Sequence, residues 1–225
     1  METRQKLLDS AVGIFAVNGY RDTTVSEICK SAGTNVAAVN YYFGSKEELY
    51  AESWRHAFEK SIKLHPPDGG VPATASPEDR FRGHISSVMR RIMDTESRDF
   101  DIVNKEMANP TGLLNEVMRK CLEPLRKGTI QMVRALLGDD ACDADVHLCE
   151  MSIMGQCFNP MIMHRRHSDA FFRGHKPEFP DLDIETVATH VVRFSLAGME
   201  KIRRLRLEKG ACGHGRKRQH GKKTI

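Results

Sequence analysis

Between Thr3 and Asn18 the apolar residues Leu7, Leu8, Ala11, Ile14 and Phe15 recur at helical spacing, and Gly19 follows as a C-cap, so the chain opens on a helix. Thr24-Val25-Ser26-Glu27 reads as a capping box, in which the Thr24 hydroxyl accepts from the Glu27 amide and the Glu27 carboxylate accepts from the Thr24 amide. A second helix then runs through Ile28 and Cys29 to Ala32 and stops at Gly33. Asn35 caps a third from Val36 to Phe43, and Ser45-Lys46-Glu47-Glu48 is another box opening a fourth, which passes Leu49, Trp54 and Phe58 to about Leu64. Pro66-Pro67-Asp68-Gly69-Gly70 breaks it and is the best linker candidate.

Beyond the linker, Ser76-Pro77 starts a helix with a buried stripe of Phe81, Ile85, Val88, Met89 and Ile92. Asn109-Pro110-Thr111-Gly112 punctuates before a long segment to Leu137, which Pro124 should kink or divide. A helix from Asp143 to Phe158, an irregular stretch from Asn159 to Pro180, and a last helix capped by Asp183 through Ile184, Val187, Val191, Phe194 and Ile202 complete the pattern. No strand pattern appears, so the expected class is all-α.

Composition changes this picture in two respects. The 34 Lys+Arg and 30 Asp+Glu give a net of +4, but residues 209–225 hold six cations and no carboxylate, which leaves the preceding body slightly negative. Nucleic-acid affinity in that body must therefore come from local arrangement and not from a global positive field. The six cysteines form no CxxC pair and are too sparse for a disulfide scaffold, so a reducing, cytoplasmic setting is expected. Asp9 interrupts the first apolar stretch, which excludes a signal peptide, and no window approaches the roughly 18 apolar residues of a membrane span.

The second and third helices and the Gly33-Thr34-Asn35 turn have the lengths of a helix-turn-helix. Spacing puts Val36, Val39 and Phe43 on one face of the third helix, with Ala37, Ala38, Asn40 and Tyr41 projecting away. Alanines permit close approach to a groove, and an asparagine can pair with the N6 and N7 edge of adenine. An ordinary small helix with a polar outer face fits the same spacing.

The run from Thr23 to Tyr50, TTVSEICKSAGTNVAAVNYYFGSKEELY, resembles the DNA-binding domain of the tetracycline-repressor (TetR) family of bacterial transcription regulators, most specifically in the string from Asn40 to Leu49. Where most members have Gly-Thr-Leu-Tyr, this chain has Ala37-Ala38-Val39-Asn40, a departure that bears on base preference. The resemblance implies DNA contacts at Thr24, Asn35, Ala38, Asn40, Tyr41, Tyr42 and Lys46. Lys46 is telling because a cation in the first turn opposes the helix dipole, and a phosphate partner would explain it. Thr24 is also a cap, and Tyr42 borders the core face.

The same resemblance implies an N-terminal helix-turn-helix domain at residues 1–50, joined through the fourth helix to a larger helical ligand-binding and dimerisation domain at 51–208, with a basic, disordered tail at 209–225. The fourth helix is then the natural lever between the domains. The stretch from Glu106 to Thr111, with Pro124 and Leu136-Leu137-Gly138, resembles a subgroup with a distinct C-terminal domain. The last two long helices would build a four-helix dimer interface matching a palindromic operator. Among the 11 methionines, Met89, Met93, Met107, Met118 and Met154 are candidates to line a pocket for a small, mostly apolar organic effector, although methionines equally fill an ordinary core.

The expected protein is a homodimeric repressor of double-stranded DNA, with no enzyme activity, cofactor, bound metal or membrane association. A metal- or redox-responsive regulator is the alternative, on Cys142, Cys149 and Cys157, the His164-x-x-His167 pair and Cys212, His214 and His220, but their spacing does not converge. A helical metal-dependent hydrolase is a remote rival and would need a motif such as HExxH, which is absent.

Overall fold

The computed structural model describes residues 3–166 and 183–215. Among them it is helical throughout: α1 (Thr3–Asn18), α2 (Val25–Ala32), α3 (Val36–Phe43), α4 (Lys46–Leu64), α5 (Pro77–Met93), α6 (Arg98–Ala108), α7 (Asn115–Leu137), α8 (Asp143–Arg166) and α9 (Ile184–Gly215). The all-α class and the first four helices agree with the sequence reading. Their boundaries follow from local chemistry. Gly33, at φ 65, takes the left-handed conformation that ends α2, and its N–H bonds the carbonyls of Cys29 and Lys30. Asp183 Oδ1 accepts from the Thr186 amide at 2.9 Å, the expected cap of α9.

The described residues divide into two compact units. The first runs up to Gly70 and resumes at Ser87–Arg126; the second takes Val71–Ser86 and the chain from Lys127 on. In the first unit Leu7, Ala11 and Phe15 of α1, Ile28 of α2, Val39 of α3, Leu49, Tyr50 and Trp54 of α4, Ile102 of α6 and Leu114 share one buried core. Each large apolar side chain removed from water there contributes on the order of 1.5–3 kcal/mol. Beside that core Arg91 bonds Asp99 at 2.9 Å, with its guanidinium over the rings of Phe58 and Phe100. In the second unit Phe81, Ile85, Val133, Val146, Ile153, Ala188 and Val192 are buried, and the His84 ring meets the Thr129 hydroxyl at 3.0 Å.

Several expectations are corrected. Helix α6 has no counterpart in the sequence reading. Pro124 neither ends nor divides α7: it is exposed, as is Lys120, so water can satisfy the carbonyl that the missing N–H leaves free. Helix α8 continues through Pro160 to Arg166, into the stretch expected to be irregular, and α9 runs to Gly215, past the expected start of the tail. The rest of that stretch and residues 216–225 lie outside the described residues. The chain crosses from unit to unit after Gly70, Ser86 and Arg126.

Candidate nucleic-acid interface

The recognition element is framed by three caps. The Glu27 carboxylate accepts from the Thr24 amide at 2.8 Å and from the Thr24 hydroxyl at 2.9 Å, and the Glu27 amide donates back to that hydroxyl oxygen at 3.2 Å. These bonds, the backbone one first, hold the Glu27 carboxyl below the usual carboxylate range. The Thr24 proton is thereby engaged within the box, and it would have to turn from Glu27 to reach a phosphate oxygen, which only accepts. Asn35 Oδ1 accepts from the Ala38 amide at 3.1 Å, and Ser45 Oγ from the Glu48 amide at 3.1 Å; the Ser45 box forms in this half only.

On α3, Val39 and Phe43 point into the core. Ala37 and Asn40 are exposed and Tyr41 is 82% exposed, while Ala38 and Tyr42 are half-buried against the core. Val36, expected on the inner face, is instead exposed, because it occupies the first turn of an eight-residue helix and overhangs the packed part. The Tyr41 and Tyr42 rings meet edge to face, centroids 4.9 Å apart. The outward face thus offers small residues, an amide and a phenol.

Lys46 has an intramolecular partner that the sequence reading missed. Its Nζ lies 4.1 Å from the centroid of the Tyr20 ring. Burial lowers the Lys46 pKa, against the pull of Glu47, Asp22 and Glu27. The Tyr20 hydroxyl donates to the Glu47 carboxylate, and burial followed by that bond pushes the Tyr20 pKa up to about 12. The only sequence signal was an aromatic residue directly after the Gly19 cap. Arg4, also unforeseen, stands over the Phe43 ring at 5.1 Å and reaches Glu52 at 3.3 Å.

Met89, Met93, Met107 and Met118 belong to the first unit and Met154 to the second. Met89 is buried, Met93, Met118 and Met154 are half-buried, and Met107 is 66% exposed at the end of α6. Of the cysteines, Cys142 is exposed and its Sγ accepts from the Asp145 amide at 3.5 Å, whereas Cys149 and Cys157 are buried. Burial raises both buried thiols, Cys157 to about 12, which suppresses the reactive thiolate. Among the described residues no three His, Cys, Asp or Glu side chains converge on a metal site, and no helix is long and apolar enough to cross a membrane. The side chains of His164, His167, Cys212, His214 and His220 lie outside the described residues.

A capped helix-turn-helix on a helical body defines a DNA-binding regulator as the class of protein. Residues 7–52 match the bacterial regulatory proteins of the tetR family, and residues 77–199 match the C-terminal domain of the HTH-type transcriptional dual regulator CecR. CecR of Shigella flexneri is 27% identical over 165 residues, covering 69% of this chain and 74% of that relative. The fold is shared with a transcriptional regulator from Rhodococcus sp. RHA1, at a TM-score of 0.62 and 18% identity over 88% of this chain and 97% of that one. It is shared as well with the superantigen PfiT, at a TM-score of 0.67 and 14% identity over 86% of this chain and 95% of that one. The chain belongs to the TetR family of DNA-binding transcriptional regulators and carries a C-terminal domain of the CecR type.

Proposed function

We propose that this regulator is a homodimeric repressor that leaves a palindromic operator on binding a small, mostly apolar organic effector. The observation that carries the DNA half of this reading is the outward face of α3, where Asn40 and Tyr41 stand clear of the core on a helix fixed by the Asn35 cap. Asn40 reads an adenine edge, Ala38 permits close approach, and Thr24, Asn35, Tyr41, Tyr42 and Lys46 meet the backbone. Footprinting of the purified protein on the DNA flanking its own gene tests this. A protected site with two-fold symmetry is expected, and uniform retention on all DNA would overturn it. Because the CecR relative is a dual regulator, transcription should be read in both directions.

Support for the dimer lies on α8 and α9. Leu148 and Met151 of α8 are 57% and 63% exposed, and Phe194 of α9 is 61% exposed. Gly155 and Gly198 lie on the same helical rows as these residues, and a Cβ at either would meet nothing within 4 Å. Apolar side chains beside bare backbone suit close packing against a second copy. Of the expected stripe, Val191 is buried within its own chain and only Phe194 is fully outward. Sedimentation should find a dimer, with Phe194→Glu shifting it to monomer and weakening operator binding; a wild-type monomer that still occupies a palindrome would refute the interface. The effector's apolar character is supported only by half-buried methionines such as Met93, Met118 and Met154. Release by metal or oxidant alone would replace that proposal.

A further inference from the structure

The stretch from Glu106 to Thr111, which DNA recognition does not explain, is tied to the head of the protein by an unusually full set of bonds. The Glu106 carboxylate accepts from the Thr111 amide at 2.8 Å, the Thr111 hydroxyl at 2.9 Å, the Gly112 amide at 2.8 Å and the Tyr50 hydroxyl at 3.1 Å. Three of these donors belong to its own turn and fix the carboxylate in place. The fourth comes from α4. Tyr50 is fully buried, so its hydroxyl needs this acceptor, and the bond fixes where the phenol can sit. Its ring lies 5.2 Å from the Tyr20 ring, which carries the Lys46 ammonium at 4.1 Å and is held at its hydroxyl by Glu47. The same turn grips the residue after Tyr20: Arg21 donates to Asn109 Oδ1 at 3.1 Å and to the Pro110 carbonyl at 3.3 Å. Gly19, before Tyr20, completes the contact, since a Cβ there would stand 3.3 Å from Lys105 Cβ.

We infer that Glu106, Tyr50 and Tyr20 are positioning residues for DNA binding, a relay by which the α6–α7 turn sets the place of the Lys46 ammonium at the DNA backbone. The physical need for it is at Lys46. A cation in the first turn of α4 is repelled by the helix dipole, and without a shelf it would sample many rotamers. The Tyr20 face supplies the shelf, and Tyr50 and Glu106 stop the shelf from turning. Residues 106–112, inside the part of the chain matching the CecR C-terminal domain, thereby act on a residue inside the part matching the tetR DNA-binding family.

This inference rests on the reading of Lys46 as a phosphate contact, and a double-mutant cycle separates the two. The affinity of the full chain for a random-sequence duplex would be measured across a salt series for wild type, Lys46→Ala, Tyr50→Phe and the double variant, with Glu106→Gln as a second break in the relay. Losing one phosphate contact should reduce the slope of log affinity against log salt by about 0.9. Lys46→Ala is expected to show that reduction, Tyr50→Phe and Glu106→Gln part of it, and Tyr50→Phe in the Lys46→Ala background nothing further. A merely structural role for Tyr50 would lower thermal stability and add fully to the Lys46→Ala loss, which would overturn the relay while leaving the phosphate contact standing. An unchanged slope in Lys46→Ala would overturn both. Tyr50→Phe keeps the buried ring, so its binding can be read in a folded protein.

Discussion

Asp99→Ala is expected to destabilise the first unit by about 3–5 kcal/mol. Asp99 and Arg91 are both more than nine-tenths buried, 2.9 Å apart, and the guanidinium lies 5.1 and 4.8 Å from the ring centroids of Phe58 and Phe100. Burial pulls the Arg91 pKa down and Asp99 opposes it, yet a guanidinium does not give up its proton within a protein's working range. Removing the carboxylate therefore strands a cation among aromatic rings. The cost comes from that stranding and not from the worth of the pair, since two charges brought out of water roughly offset their mutual attraction. Replacing both, Arg91→Met with Asp99→Leu, should accordingly be near neutral. Trp54 is the one tryptophan of the chain and stacks on Phe58 at 5.1 Å, so its fluorescence in a urea titration reports this unit. A loss under about 1 kcal/mol for Asp99→Ala would mean that water reaches the guanidinium once the carboxylate is gone.

The parts of the fold legible in the sequence were those written in local chemistry. Thr24, Asn35, Ser45 and Asp183 announced four helix starts because each cap bond spans three residues. Helix α6 escaped notice because Ser97, at its N-cap position, makes no cap bond; its hydroxyl turns to Ser61 of α4 at 3.3 Å instead. Pro124 misleads for the converse reason, since a local rule against proline in helices yields where water can satisfy the carbonyl that the missing N–H leaves free. The inward places of Val39 and Phe43 and the outward ones of Asn40 and Tyr41 followed from helical spacing. The pairing of Lys46 with Tyr20 did not, because the two are far apart in sequence and meet only when α1 packs on α4. Methionine content said nothing of position: Met107 fits the composition argument as well as Met89, and one is exposed while the other is buried.

The second large effect is expected at the base-reading position. Asn40 is exposed near the middle of α3, and its amide carries a separate donor and acceptor that can engage a base edge together. Asn40→Ala should therefore cost about 1–3 kcal/mol at the operator and relax discrimination at a single adenine in each half-site. Its affinity for random-sequence DNA should stay unchanged, because an amide facing a base edge releases no counterions. Tyr41→Ala should behave in the opposite manner. A phenol 82% exposed can reach a phosphate or sugar but carries no complete base code, so its loss should weaken operator and random DNA by the same factor. Competition binding with single-base operator variants at two salt concentrations distinguishes the two patterns. An Asn40→Ala protein that keeps full discrimination at every operator position, while remaining folded, would remove base reading from Asn40 and leave it, on α3, to the half-buried Ala38 and Tyr42, whose contacts with the core leave them less free to reach a groove floor.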